Sequence, residues 1–129
     1  MVKGSFLFAR DLGKDDWLSQ MPPHRVEGQI TWKIPGERFR DTYLSPSLQH
    51  VFQQRLIPEP NNDYLAPPPA YTLMHLNVGT SFLISGKESS LNVGVHNLLN
   101  TRYRDYMNRF RYFTDEMGRN ITLQWRVGM

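Results

Sequence analysis

The sequence predicts an all-β fold, an antiparallel up-and-down transmembrane β-barrel segment of about six strands with long outer loops and short periplasmic turns. Three observations predict it. Apolar and polar residues alternate over most of the chain, the connections between alternating runs switch between long and short, and aromatic residues gather near the run ends. The last stretch, "RNITLQWRVGM", shows the alternation: Ile121, Leu123, Trp125, Val127 and Met129 fall on one parity, and Asn120, Thr122, Gln124 and Arg126 on the other. That is the period of a strand with one dry and one wet face, and a helix does not fit it.

Bulk properties set the frame. A chain of 129 residues is about one domain, and a net charge of +3, from 15 basic and 12 acidic residues, is weak support for a polyanionic partner. The absence of cysteine excludes a disulfide framework and thiolate metal sites. No apolar run approaches the roughly 20 residues that a membrane helix needs. "MVKGSFLFAR" does not read as a signal peptide, so an export signal is expected outside this chain.

Taken in order, the elements begin with "VKGSFLFAR", a strand with Phe6 and Phe8 on one parity. Val26, Gly28, Ile30, Trp32 and Ile34 form the next dry face, closed by the turn "IPGER". A strand is expected from about Tyr43 to Leu56, with a bulge or bend near Pro46, because proline removes a ladder donor. Met74, Leu76, Val78, Phe82 and Ile84 share a parity against His75, Asn77, Gly79 and Ser81. Leu91, Val93 and Val95 follow, then the final strand. "DLGKDDWLSQMPPHR" and "PEPNNDYLAPPPA" read as polar and Pro-rich connections that are neither strand nor helix.

Connections are long at Gly13 to His24, short at Pro35 to Arg38, long at Pro58 to Ala70, short at Gly86 to Ser89, and moderate around "YFTDEMG". An outer-membrane barrel sorts its loops this way, and strands of about 9 to 11 residues cross a bilayer at a tilt. Trp32 and Trp125 near the short turns, and Tyr71, Tyr103 and Tyr106 near the long loops, are placed as two interfacial girdles. Ile121, Leu123, Trp125 and Val127 are expected to share a face with Ile30, Trp32, Leu76, Val78, Val93 and Val95. Gln124 and Arg126 are expected on the other face with Gln29, Asn77 and His96.

"VGVHNLLNTRYRDYMNRFRYFTDEMGRNITLQWRV" resembles the C-terminal end of a TonB-dependent outer-membrane receptor. Asn97, Leu98, Leu99 and Asn100 followed by Tyr103 match one of its motifs, and Gly118 with Arg119 another; "MPPHR" and "PPPAYTLMHLNVG" resemble segments entering earlier strands. The resemblance implies that residues 1–129 are the last six strands of a barrel of about 22 with a plugged lumen, the plug domain and earlier strands absent. It also implies a bacterial outer-membrane location and a part in active uptake of a scarce nutrient such as an iron chelate (siderophore). Implied partners are the rest of the barrel and the plug, outer-membrane lipid, and the barrel assembly machinery, which engages the last strand. The energy-coupling protein would act only through the missing N-terminal parts. "GKDDWLSQMPP", "PEPNNDYLAPPPA" and "FTDEMG" would then be extracellular. Met129 stands where such barrels usually end on an aromatic residue.

Each residue group also has a plainer reading. "RYRDYMNRFRYF" interleaves Arg102, Arg104, Arg109 and Arg111 with Tyr103, Tyr106, Phe110 and Tyr112, which suits base stacking but equally a barrel strand with arginines toward the lumen and a bulge between Leu99 and Tyr106. No nucleic-acid partner is expected. His75 and His96 stand on polar faces of neighbouring strands, a pair without a third ligand. Asp15, Asp16, Asp115 and Glu116 read as solvated loop carboxylates, and no acid, His and nucleophile share an informative spacing. Neither enzyme activity, a cofactor nor a metal is expected. The alternatives to a transport component are a self-contained small β-barrel or β-sandwich with a binding role and, more distantly, a nucleic-acid binder. Bare strand edges and an uncovered apolar face predict that the isolated chain self-associates.

Overall fold

Alternation becomes strand wherever a partner of matching period lies alongside, and the computed structural model, which describes residues 1–58 and 66–128, pairs nearly all of it. The strands are β1 (Val2–Ser5), β2 (Arg10–Asp11), β3 (Asp16–Trp17), β4 (Arg25–Gln29), β5 (Trp32–Ile34), β6 (Arg40–Val51), β7 (Tyr71–Ile84), β8 (Lys87–His96) and β9 (Asn120–Val127). All pair antiparallel, in the order β1-β4-β6-β7-β8-β9, with β5 on β6 beyond β4. One short 3-10 turn, Arg109–Tyr112, is the helical element among the described residues. The all-β, antiparallel, neighbour-to-neighbour expectation therefore stands. The sheet is open: among the described residues β1 and β9 are its edges, and no closed barrel forms.

The register carries the apolar parity across every strand. Ile121, Leu123 and Trp125 lie opposite Val95, Val93 and Leu91. Val95 and Val93 lie opposite Leu76 and Val78, which face Pro46 and Leu44. Leu44 faces Trp32, Leu48 faces Gly28, and Gly28 faces Val2. Cross-strand partners share a face, so these residues make one apolar surface. The face assignments expected from the sequence agree with this register at each of these strands.

Several boundaries differ, each for a local reason. β1 ends at Ser5, before Phe6 to Arg10. The connection after it, expected to hold no strand, contains the two-residue hairpin β2–β3, Arg10 opposite Trp17 and Asp11 opposite Asp16. Gly13 N–H bonds the Asp11 carboxylate at 2.8 Å there, and Asp15 takes a left-handed φ of 51°. β6 starts at Arg40 and ends at Val51, short of Leu56. Its irregularity lies between Arg40 and Tyr43, not at Pro46, because Asp41 takes a left-handed φ of 49°. Pro46 keeps its register opposite Leu76 and accepts from Ile30 N–H at 3.1 Å, but cannot return a bond to Ile30, and the ladder lapses between β4 and β5. β7 begins at Tyr71, where the long connection was expected to end, whereas β8 begins at Lys87 because Ser85 and Gly86, both at positive φ, complete the turn that was expected to run to Ser89. Most of the "PEPNNDYLAPPPA" connection and the expected strand residue Met129 lie outside the described residues.

The girdle near the long loops is also different. Tyr71 lies opposite Val51, on the parity of His75, and Tyr106 is buried, so the expected Tyr71, Tyr103 and Tyr106 do not line the apolar face. The aromatics on the apolar side at that end are Phe6, Phe8 and Phe52. His24 lies against Phe6 and Phe8 (ring centroids 5.4 and 4.8 Å), and His50 against Phe52 (4.6 Å). At the short-turn end Trp32 and Trp125 share the face, and Phe39 meets Phe82 edge-on at 6.1 Å.

Gly79 shows how tightly the opposite face is closed. It lies between Tyr43 and Asn92 in the register, and a Cβ there would collide with the Tyr43 ring and the Asn92 amide oxygen, while Tyr43 Oη donates to that same oxygen at 3.0 Å. Gly79→Ala should destabilise the chain by about 1 to 3 kcal/mol through overpacking. Tyr43→Ala in the same chain should recover part of that loss, a non-additivity that denaturant unfolding of the single and double variants measures.

Candidate functional site: the polar face and its loop-side rim

On the face opposite the apolar one, short polar side chains pair across strands. Gln29 Nε2 donates to Ser45 Oγ at 2.7 Å, Thr31 Oγ1 lies 2.9 Å from the same atom, and Thr122 Oγ1 donates to the Gly94 carbonyl at 3.3 Å. Ser45 and Ser47 are 3% and 9% exposed, whereas Leu48 on the same strand and Val78 on its neighbour, both on the apolar face, are 52% and 36% exposed. Contacts between strands run between hydrogen-bonded neighbours, so among the described residues no second layer covers the apolar side. The usual burial pattern of a water-soluble sheet is inverted.

The predicted His pair meets on this polar face. The His75 and His96 rings stand 5.3 Å apart, and His75 Nδ1 accepts from the Asn97 backbone N–H at 3.2 Å, which places the ring proton of neutral His75 on Nε2. Among the described residues no group of three or more His, Cys, Asp or Glu side chains is placed to hold a metal ion.

The motif residues come together at the loop-side rim. Asn97 and Asn100 take left-handed φ values of 52° and 54°, which end β8 and turn the chain. Asn97, 2% exposed, donates from Nδ2 to the Thr101 carbonyl and accepts from Thr101 N–H, both at 2.8 Å. Asn100 Oδ1 accepts from Arg119 N–H at 2.9 Å, and Arg119 Nε donates to the Leu98 carbonyl at 2.9 Å. A side chain at Gly118 would place its Cβ 2.6 Å from Asn100 Oδ1, so glycine is the residue that lets the two motifs close. This clamp joins the end of β8 to the start of β9 across the intervening loop. Sequence inspection singled out these residues by resemblance; their mutual bonds depend on the register of β8 with β9.

The loop between them, expected to continue as a bulged strand, is irregular and braced from within. Arg104 Nε donates to Asp115 at 2.7 Å and its Nη1 to the Arg111 carbonyl at 2.8 Å. Buried Arg111 lies over the Tyr106 and Tyr112 rings at 4.2 and 4.8 Å and donates to the Tyr106 carbonyl and to Tyr112 Oη. Asn108 caps the 3-10 turn through Phe110 N–H and donates to Glu116. Tyr71 Oη donates to Asp105 at 3.0 Å and its ring meets Tyr103 at 4.6 Å, fastening the loop to β7. Burial, then the Glu116 and Asp105 carboxylates, push the Tyr103 phenol above its ordinary range. Asp115 is exposed, as expected of a solvated loop carboxylate, but is also paired with Arg104, and half-buried Glu116 accepts from Asn108. Asp15 fits that expectation better, with only an exposed contact to Arg10 at 3.7 Å, and Asp16 accepts from Trp17 N–H at 2.7 Å. Of the interleaved arginines, Arg104 and Arg111 serve the loop's interior, whereas Arg102 and Arg109 are exposed. Phe110 is 69% exposed and Tyr106 is buried, so the arginines and rings do not form one continuous stacking surface.

Asn97→Ala removes both amide bonds and puts a non-favoured residue at positive φ, a loss of about 2 kcal/mol at the rim. Tryptic cleavage at Arg102 to Arg111 should accelerate accordingly, and Asn97→Gly, which keeps the backbone conformation, should lie between the two. Neither a protein-family model, nor a curated protein, nor a solved structure matches this chain.

Proposed function

We propose that this chain is the C-terminal wall of a bacterial outer-membrane transport barrel of the TonB-dependent receptor type. In that role β1 and β4 to β9 face lipid on one side and a plugged lumen on the other, and the long connections, with the β2–β3 hairpin in the first of them, form outer loops. One observation carries the reading: the apolar parity is continuous across the sheet and open, while the polar parity is the closed side. In water such an apolar surface exceeds what soluble monomers leave bare, and in a bilayer it needs no cover. The apolar parity of β7 runs from Met74 to Ile84, and at about 3.4 Å per residue and a tilt of about 45° it covers roughly 24 Å, near the height of a barrel's apolar band. Aromatics at both ends of that band fit the two interfaces. The Asn97 to Arg119 clamp then holds the last outer loop over the lumen side, where a nutrient such as an iron chelate would pass. Energy coupling and most ligand contacts belong to the plug and the remaining strands.

Two measurements test this reading. With the full chain reconstituted in bilayers of acyl-brominated lipid, single-tryptophan variants retaining Trp32 or Trp125 should be strongly quenched and one retaining Trp17 should not; equal quenching of all three, or of none, overturns the lipid-facing assignment. Leu123→Arg should cost about 2 to 4 kcal/mol near the midplane and Gln124→Arg much less, whereas in water both surface changes would stay within about 0.5 kcal/mol. Urea titration of the bilayer-reconstituted variants gives the difference.

A further inference from the structure

At the loop-side end of the apolar face, beyond the rung of Val26, His50 and Thr72, is a groove of about 420 Å³. The register places its floor. Phe52 N–H bonds the His24 carbonyl at 2.9 Å, continuing the β4–β6 ladder by one rung, and the β6–β7 register carried one step past Val51 and Tyr71 brings Ala70 opposite Phe52. His24, Phe52 and Ala70 thus form a row on the apolar side, with the Phe8 ring tilted against His24 and Arg55 and Leu56 also lining the groove. Two features of this groove are chemical rather than merely apolar. Arg55 is exposed and belongs to neither ion pair of the described residues, which join Arg10 to Asp15 and Arg104 to Asp115. His24 Nδ1 accepts from Leu7 N–H at 3.3 Å, so the neutral ring carries its proton on Nε2 and is a donor there.

We infer that this groove binds a phosphate-bearing membrane lipid, the headgroup phosphate taken by the Arg55 guanidinium and the His24 Nε2–H and the first part of an acyl chain lying on Phe52 and Phe8. The inference rests on the lipid-facing reading proposed above and adds a defined headgroup site to it. A guanidinium and an imidazole N–H together match the oxygens of a phosphate, and below the aromatic floor the same face continues past the rung of Val26, His50 and Thr72 to Leu48 and Met74, which is the direction an acyl chain takes from its headgroup. A partner protein would find a single cation at the edge of a narrow groove; a lipid needs only that.

The test is lipid retention by the full chain in neutral detergent, read by native mass spectrometry, with phosphatidylglycerol, diacylglycerol and inorganic phosphate as separate probes. Phosphatidylglycerol should be retained in preference to diacylglycerol, Arg55→Gln should lower that preference about fivefold, and Arg55→Lys should restore most of it. Arg38→Gln, at the opposite end of the sheet, should leave it unchanged. Equal retention of the two lipids, an Arg55→Gln chain that retains phosphatidylglycerol undiminished, or competition by inorganic phosphate at the same concentration as the lipid would each overturn the inference. If Trp32 and Trp125 are still quenched by brominated lipid in that event, the headgroup site falls and the lipid-facing wall stands; if they are not, the wall itself falls.

Discussion

Every feature of this chain depends on the register of one antiparallel sheet. A strand shows alternate residues to opposite sides, so a slip of one residue at any pair would carry apolar side chains into the polar face and break the apolar surface that extends from Val2 on β1 to Trp125 on β9. The chain sets this register at particular places. Tyr43 lies over Gly79 and reaches Asn92, tying three strands at one level, and a side chain larger than hydrogen at 79 does not fit beneath it. The irregularity at Asp41 is confined to the short-turn end, before the ladder of β6 with β7 settles into its continuous run. Pro46 leaves a ladder bond unmade but does not shift the pairing.

The same register assembles the rim. Asn97 can reach His75 because β7 and β8 set those levels side by side, and Arg119 can reach Asn100 and Leu98 because β9 begins opposite the end of β8. Left-handed asparagines supply the turn, and their short amides satisfy the backbone groups that the turn exposes. The loop beyond is held by a buried arginine between two tyrosines and by an Arg104 to Asp115 pair, so its charged residues are partly internal. A loop built in this way presents a defined surface rather than a loose tether.

The energetics of the sheet turn on its uncovered face. The polar side carries cross-strand hydrogen bonds and deeply buried serines, and the open side carries Leu, Ile, Val and Trp. Hydrophobic burial is worth about 25 cal/mol per Å² of apolar surface removed from water, so a single layer with an uncovered apolar face lacks the largest stabilising contribution that a soluble sheet has. Lipid around the open face and partner strands at β1 and β9 would supply both the missing burial and the missing ladder bonds.

Alternation alone determined the strand class, the up-and-down order and the membership of the two faces, because a side chain's side of the sheet follows from its parity and nothing else. Tertiary structure decided what parity cannot express. Whether Tyr71 lines the apolar face depended on its register opposite Val51 and on Asp105 arriving beside it; which partners Asp115 and Glu116 find depended on where Arg104 and Asn108 fold back. The hairpin within the first long connection and the bend at Asp41 rather than Pro46 arise from single residues at positive φ, a choice made by closing contacts and not by composition. The joining of Asn97 to Asn100 with Gly118 and Arg119 is a meeting of residues about twenty apart, visible in sequence as two motifs and in the fold as one clamp.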